Sequence, residues 1–75
     1  MGGIFIRSQS GNEIIYCKNL FLEPFDVGKD TYAIIEKKEN NEIILGEYSE
    51  EKANQIFNAI WHNIVDMVSI YNMPK

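Results

Sequence analysis

Four groups of residues in this chain have types and spacings that could do chemistry. His62 and Asp66 stand four residues apart, a separation that brings both side chains to one face of a helix, as two ligands of a metal site would need. A structural or catalytic zinc site takes three or four ligands. With one His and one Cys in the chain the set is incomplete, so no metal is expected, and a solvated His62 beside Asp66 is the ordinary reading. Cys17 could be a nucleophile only with a base to activate it. The sole histidine belongs to the polar side of a distant helix, so Cys17 reads as a buried or edge-strand thiol.

The third group, Asp26-x-Gly28-x-Asp30 with Glu23 before it, superficially suggests calcium. It lacks the alternating acids and the distal Glu of an EF-hand loop, and reads as a polar loop. The fourth, Arg7-Ser8-Gln9-Ser10-Gly11-Asn12, is the most informative. One guanidinium, two hydroxyls, an amide and a flexible glycine can hold a phosphate or carboxylate through side chains and turn amides. The segment has no P-loop pattern. Arg7, Ser8, Gln9 and Ser10 are therefore the candidate ligand-binding residues, against the alternative of a plain polar hairpin tip. No nucleophile, base and orienting group can be assembled from the whole chain. Catalytic residues, enzyme activity and cofactors are not expected.

The elements that must position these groups follow from hydrophobic period. Ile4-Phe5-Ile6 and Glu13 to Cys17 are apolar and β-prone, and Ser10-Gly11-Asn12 between them is turn chemistry, so they predict a hairpin. Leu20-Phe21-Leu22 is a third run, stopped by Pro24, which cannot donate to a ladder. Thr31 to Glu36 and Glu42 to Tyr48 flank an Asn40-Asn41 turn and form the clearest hairpin. Ser49 is a good N-cap, and Glu50-Glu51 place negative charge at the positive end of a helix dipole. Beyond it Ala53, Ile56, Phe57, Ile60, Ile64, Met67, Val68 and Tyr71 recur at spacings of three and four, predicting one long helix that ends near Tyr71. The expected fold is a single α+β domain over residues 1–75: an antiparallel meander of four to five short strands with one C-terminal amphipathic helix on one face.

In its second half the apolar arc of this helix widens. Trp61 and Val65 lie beside Val68, about 60° to 120° from the stripe centre at about 100° per residue. One sheet face does not readily cover them. Trp61, Val65 and Val68 are therefore the candidate oligomer interface, the alternative being a sheet that curls over the helix end.

A chain of 75 residues buries only about 60% of its unfolded surface, and a single cysteine allows no disulfide framework. Extra stability must come from dense packing or from association, so a homo-oligomer is expected. The lone thiol fits a reducing compartment, and the cytoplasm is the expected location. No apolar run approaches the length of a membrane span, and the N-terminus lacks a basic region before a long apolar stretch. A formal net charge of −4 disfavours nucleic acid. Phe5, Tyr16, Phe21, Tyr32 and Tyr48 could supply the aromatics of a sheet-based RNA binder, but the acidic balance and the absence of Lys or Arg beside them disfavour it.

Two segments carry a resemblance. The opening Phe5-Ile6-Arg7-Ser8-Gln9, and Ile44-Leu45-Gly46-Glu47-Tyr48-Ser49 followed by Lys52-Ala53 and a helix, resemble small uncharacterised proteins encoded in Gram-positive bacteria and their phages. The resemblance implies a short meander plus helix and no particular activity. It also implies a phage or prophage style of action, in which a small protein works by binding. The expected function is a non-enzymatic binding protein that occupies a host protein or ligand as an oligomer. The alternative is a sequestering protein that holds an anionic, nucleotide-like signalling molecule at a subunit boundary near Arg7.

Overall fold

The computed structural model describes residues 3–65 and 70–75. Its elements run β1 (Ile4–Arg7), β2 (Ile14–Cys17), β3 (Leu20–Asp26), β4 (Thr31–Lys37), β5 (Glu42–Ser49), α1 (Glu50–Val65) and β6 (Ile70–Asn72). The class is α+β, strands followed by one amphipathic helix, as the periods predict. The strands divide into two three-stranded sheets, ordered β2-β1-β6 and β3-β4-β5. Adjacent strands pair antiparallel except β1 and β6, which are parallel, with Phe5 opposite Ile70 and Arg7 opposite Asn72.

The helix is shorter than its apolar spacing predicts. Its described span is Glu50–Val65, residues 66–69 lie outside the described residues, and Tyr71, expected at the helix end, lies in β6 with its side chain packed against the core. Spacings of three and four carry on from the helix into a short strand by coincidence of position, so period alone does not mark the change. The start is as expected: the Ser49 hydroxyl accepts the Lys52 amide at 3.3 Å, satisfying one orphan donor of the first turn.

One apolar cluster draws on both sheets and the helix. Ile4, Ile6 and Cys17 come from the first sheet, Ile34, Leu45 and Tyr48 from the second, and Ala53, Ile56 and Ile60 from α1, with Met73 closing it after β6. Phe57 and Ile64, expected in full contact with the sheet, are half-buried at the cluster's margin. Alternation along β1 is strict: Ile4 and Ile6 face in, Phe5 and Arg7 face out.

Two polar devices join the sheets. Between Ile34 and Ile35 the β4–β5 register shifts by one residue, so Leu45 has no partner on β4. Its carbonyl instead accepts the Gln9 amide at 2.8 Å. The Gln9 side chain completes the strap, accepting from Glu47 N at 3.0 Å and donating to the Glu47 carbonyl at 3.3 Å. The second device is Glu36, which is 1% exposed. Its carboxylate accepts the amides of Lys18 (3.2 Å) and Asn19 (2.9 Å) in the turn between β2 and β3, and Lys38 lies 3.4 Å away. A buried carboxylate is tolerable here because it is both hydrogen-bonded and paired. Gly3 also belongs to the fold: a Cβ there would stand 2.2 Å from the Cys17 carbonyl oxygen.

Candidate functional site

The residues singled out in the sequence are distributed as follows. Arg7, Ser8, Gln9 and Ser10 do meet at one place, the end of β1 and the tip of the β1–β2 hairpin. Three of them spend their polar groups on the protein itself. Ser8 is buried, and its hydroxyl bonds the Ser10 hydroxyl at 3.0 Å. Ser10 Oγ also accepts the Asn12 amide, while the amides of Ser8 and Gly11 close the turn on Glu13 and Ser8 carbonyls. Gly11 sits at φ 82°, the left-handed conformation that its lack of a side chain permits. Gln9 is taken up by β5. Arg7 alone presents its charge outward, and no carboxylate among the described residues lies within ion-pair distance of it.

Arg7 stands on the open face of the first sheet. The register sets two rows across that face: Tyr16, Phe5 and Ile70 in one, Ile14, Arg7 and Asn72 in the next. Phe5 is 47% exposed and Ile14 56%, with Tyr16 and Ile70 also exposed. The Phe5 and Tyr16 rings lie 4.9 Å apart, tilted by 55°, and the Lys18 ammonium stands 5.9 Å from the Tyr16 ring centre. Both distances are attractive ones for aromatic pairs and for a cation over a ring. At one end the face runs into a cleft of about 350 Å³ lined by Arg7, Ser10, Asn12, Asn72 and Lys75 among others. No acidic side chain among the described residues lines it.

Sequence reasoning weighed Phe5 and Tyr16 only as aromatics of a disfavoured RNA-binding sheet, and gave Ile14 and Ile70 no site. A usable signal was present. Ile14-Ile15-Tyr16 is apolar without alternation, the pattern of a strand covered on both faces, and the sequence predicts a single helix to provide cover.

The remaining candidates separate clearly. Cys17 is fully buried, its Sγ donates to the Ile15 carbonyl, and burial followed by the Glu36 charge pushes its thiol up to about 12, against the partial help of Lys38. A thiol so far from its thiolate form is no nucleophile. Asp26 caps its own turn, accepting the Lys29 amide at 3.2 Å, while Asp30 holds a left-handed φ of 57°. Glu23 pairs with Lys37 at 2.7 Å. No group of three metal-ligating side chains occurs among the described residues. His62 is exposed, as expected, and Asp66 lies outside the described residues. Trp61 is 56% exposed, so within the described chain nothing curls over it. Val65 is the last residue of α1, and Val68 lies outside the described residues.

Comparison with protein-family models, with curated proteins and with solved structures gives no match.

Proposed function

We propose that this chain is a non-enzymatic binding protein of phage or prophage type that acts by occupying a partner with the outer face of its first sheet. The observation that carries this reading is the row of Phe5, Tyr16 and Ile70 with Ile14 and Arg7 beside it, apolar side chains held in the open by strands whose other face fills the core. Exposed apolar patches of this kind are costly to keep and mark interaction surfaces. The phage origin rests on the sequence resemblance alone. Association into a homo-oligomer is supported separately by Trp61, a large ring left uncovered on α1. A cytoplasmic location is supported by the single unpaired cysteine. Among the described residues no helix is long and apolar enough to cross a membrane.

Native mass spectrometry of the protein recovered from bacterial extract, wild type beside Phe5→Asp, tests the reading. A defined complex with the wild type that disappears in a folded Phe5→Asp variant is the expected result. Identical spectra for the two proteins would overturn it.

A second reading has one observation in its favour. The cleft beside Arg7 is lined by that guanidinium and by polar residues, Ser10, Asn12 and Asn72, with no acidic side chain among the described residues, which suits an anionic, nucleotide-like small molecule held near a subunit boundary. Retention of such a molecule by the wild type and its loss in Arg7→Gln would select this alternative.

A further inference from the structure

The charge on the open face of the first sheet has one sign. Arg7 sits within the apolar rows and Lys18 over the Tyr16 ring, while no carboxylate side chain among the described residues belongs to the rows or to the lining of the adjoining cleft. Glu13, the nearest acid in sequence, lines a different depression with Phe25 and Glu47, on the side toward the second sheet. The chain as a whole carries −4, so its acids are concentrated elsewhere. Glu23, Glu42 and Glu47 belong to the outer face of the second sheet, and Glu50 and Glu51 to the first turn of α1. Both cations reach this face from their own segments: Arg7 stands two residues after Phe5 and shares its face of β1, and Lys18, two residues after Tyr16, reaches back over that ring.

We infer that the occupant of this face is a single-stranded nucleic acid, its bases stacked on Phe5 and Tyr16 and its phosphates held by Arg7 and Lys18. The inference rests on the reading of the outer face as the binding surface. Three features of the geometry support it. Exposed aromatic rings on an open sheet offer π-faces to unstacked bases, and stacking tolerates any base. Phe5 and Arg7 are two residues apart on one strand, about 7 Å, which is the reach from a nucleobase to a neighbouring phosphate. Phe5 and Tyr16 can stack only on bases that are not already stacked on one another, so a single strand suits the face better than a duplex. An acidic peptide would satisfy the cations but would leave the paired rings without flat partners.

Fluorescence anisotropy with labelled oligodeoxythymidine and oligouridine tests this. A duplex of equal length, a free mononucleotide and polyglutamate are run beside them. Both single strands are expected to bind and the duplex to bind far more weakly. Phe5→Ala should weaken binding about tenfold or more. Arg7→Gln should weaken it about as much and lower the salt slope by about one phosphate contact. Both residues are exposed, and circular dichroism confirms each fold; should Phe5→Ala fail to fold, Arg7→Gln decides. Wild type that binds neither strand overturns the inference, as does an affinity unmoved by the substitutions. A mononucleotide bound as tightly as the strand replaces it with a small-molecule site. Polyglutamate bound in place of the strands, and lost in Phe5→Ala, overturns the nucleic acid but keeps the face as a protein-binding surface. Failure of every probe, with the native spectra also unchanged by Phe5→Asp, removes the reading of the face itself.

Discussion

The two sheets are built alike and finished differently. Each has three strands, and each gives one face to the common core. On its outer face the second sheet also shows apolar side chains, with Phe21, Phe25 and Ile44 exposed. There they are interleaved with paired charges. Lys37 lies 4.4 Å from the Phe21 ring centre, 2.7 Å from Glu23 and 3.8 Å from Glu42, and the Thr31 hydroxyl donates to Glu47. The Glu23 carboxylate holds the Lys37 ammonium above its ordinary range. Beneath this lattice Ala33 and Ile35 are buried. The first sheet has no such lattice: Arg7 stands among its apolar rows and Lys18 over the Tyr16 ring, and neither has a carboxylate within ion-pair distance among the described residues. A face whose charges are already answered is suited to water, and one whose charges are all of one sign is suited to a partner of the other.

Four substitutions or titrations bear on this contrast, taken from the largest effect down. Glu36→Ala strips the acceptor from two part-buried amides at the joint between the sheets and leaves Lys38 without its partner. A loss of about 3 kcal/mol or more is expected, read by denaturant unfolding; a cost near zero would mean that the sheets are held together without it. Gln9→Ala removes the side-chain half of the other strap and should cost about 1 to 2 kcal/mol. Hydrogen exchange should quicken at the Glu47 amide, which loses its acceptor, more than at amides within β4. Uniform quickening would show that the sheets do not separate at that seam.

The third is a titration. Cys17 and Tyr48 are acids whose folded values are raised to about 12 from ordinary values of 9.0 and 10.0, each chiefly by burial. Tyr71 is raised for the same reason. The fold prefers all three protonated. Their contribution is therefore complete below the ordinary values and is lost as pH climbs from there toward the folded ones. Stability should be flat through neutrality and fall in alkali, at up to about 1.4 kcal/mol per pH unit for each group. Cys17→Ser should blunt the onset of that fall, which is followed by thermal melts across the alkaline range. The smallest effect is Lys37→Ala, expected to change folding stability little because the pair is open to solvent. Its sharper readout is association: removal of the cation leaves Phe21 uncovered and should make the second sheet's face sticky in sedimentation. Unchanged sedimentation would mean the lattice is not what keeps that face inert.

What was legible in the sequence follows from the strength of local signals. The β4–β5 hairpin and the start of α1 announce themselves through a turn pair and a capping serine, and both stand where they were expected. So does the inward stripe of Ala53, Ile56 and Ile60. β6 was illegible because three residues are too few to show a period of two, and Ile70-Tyr71 happen to continue the helical spacing. The division into two sheets was hidden as well, since neither the Leu45 bulge nor the Gln9 strap leaves a mark beyond one unremarkable residue each. Glu36 read as the polar end of a strand, and its burial depends on a turn from elsewhere in the chain. At the candidate site Arg7 was visible as a charge with two hydroxyls beside it. That the hydroxyls bond each other, and that the charge shares a face with Phe5, Tyr16 and Ile70, required the register of three strands.

That register has a consequence for how the molecule comes to be. β1 is the central strand of its sheet, with its sequence neighbour β2 on one side and the distant β6 on the other. The far seam is fixed by the Met73 amide on the Arg7 carbonyl and by the Tyr48 hydroxyl on the Pro74 carbonyl. Hairpins close quickly because their ends are near; a parallel pairing across nearly the whole described chain must first meet the entropy of a long loop. The second sheet and α1 can therefore assemble while β1 still has a bare edge. Until β6 arrives, that edge is open to any extended strand that reaches it first, including the β6 of another copy. The seam that completes the fold is thus also the step at which two newly made chains compete to complete each other.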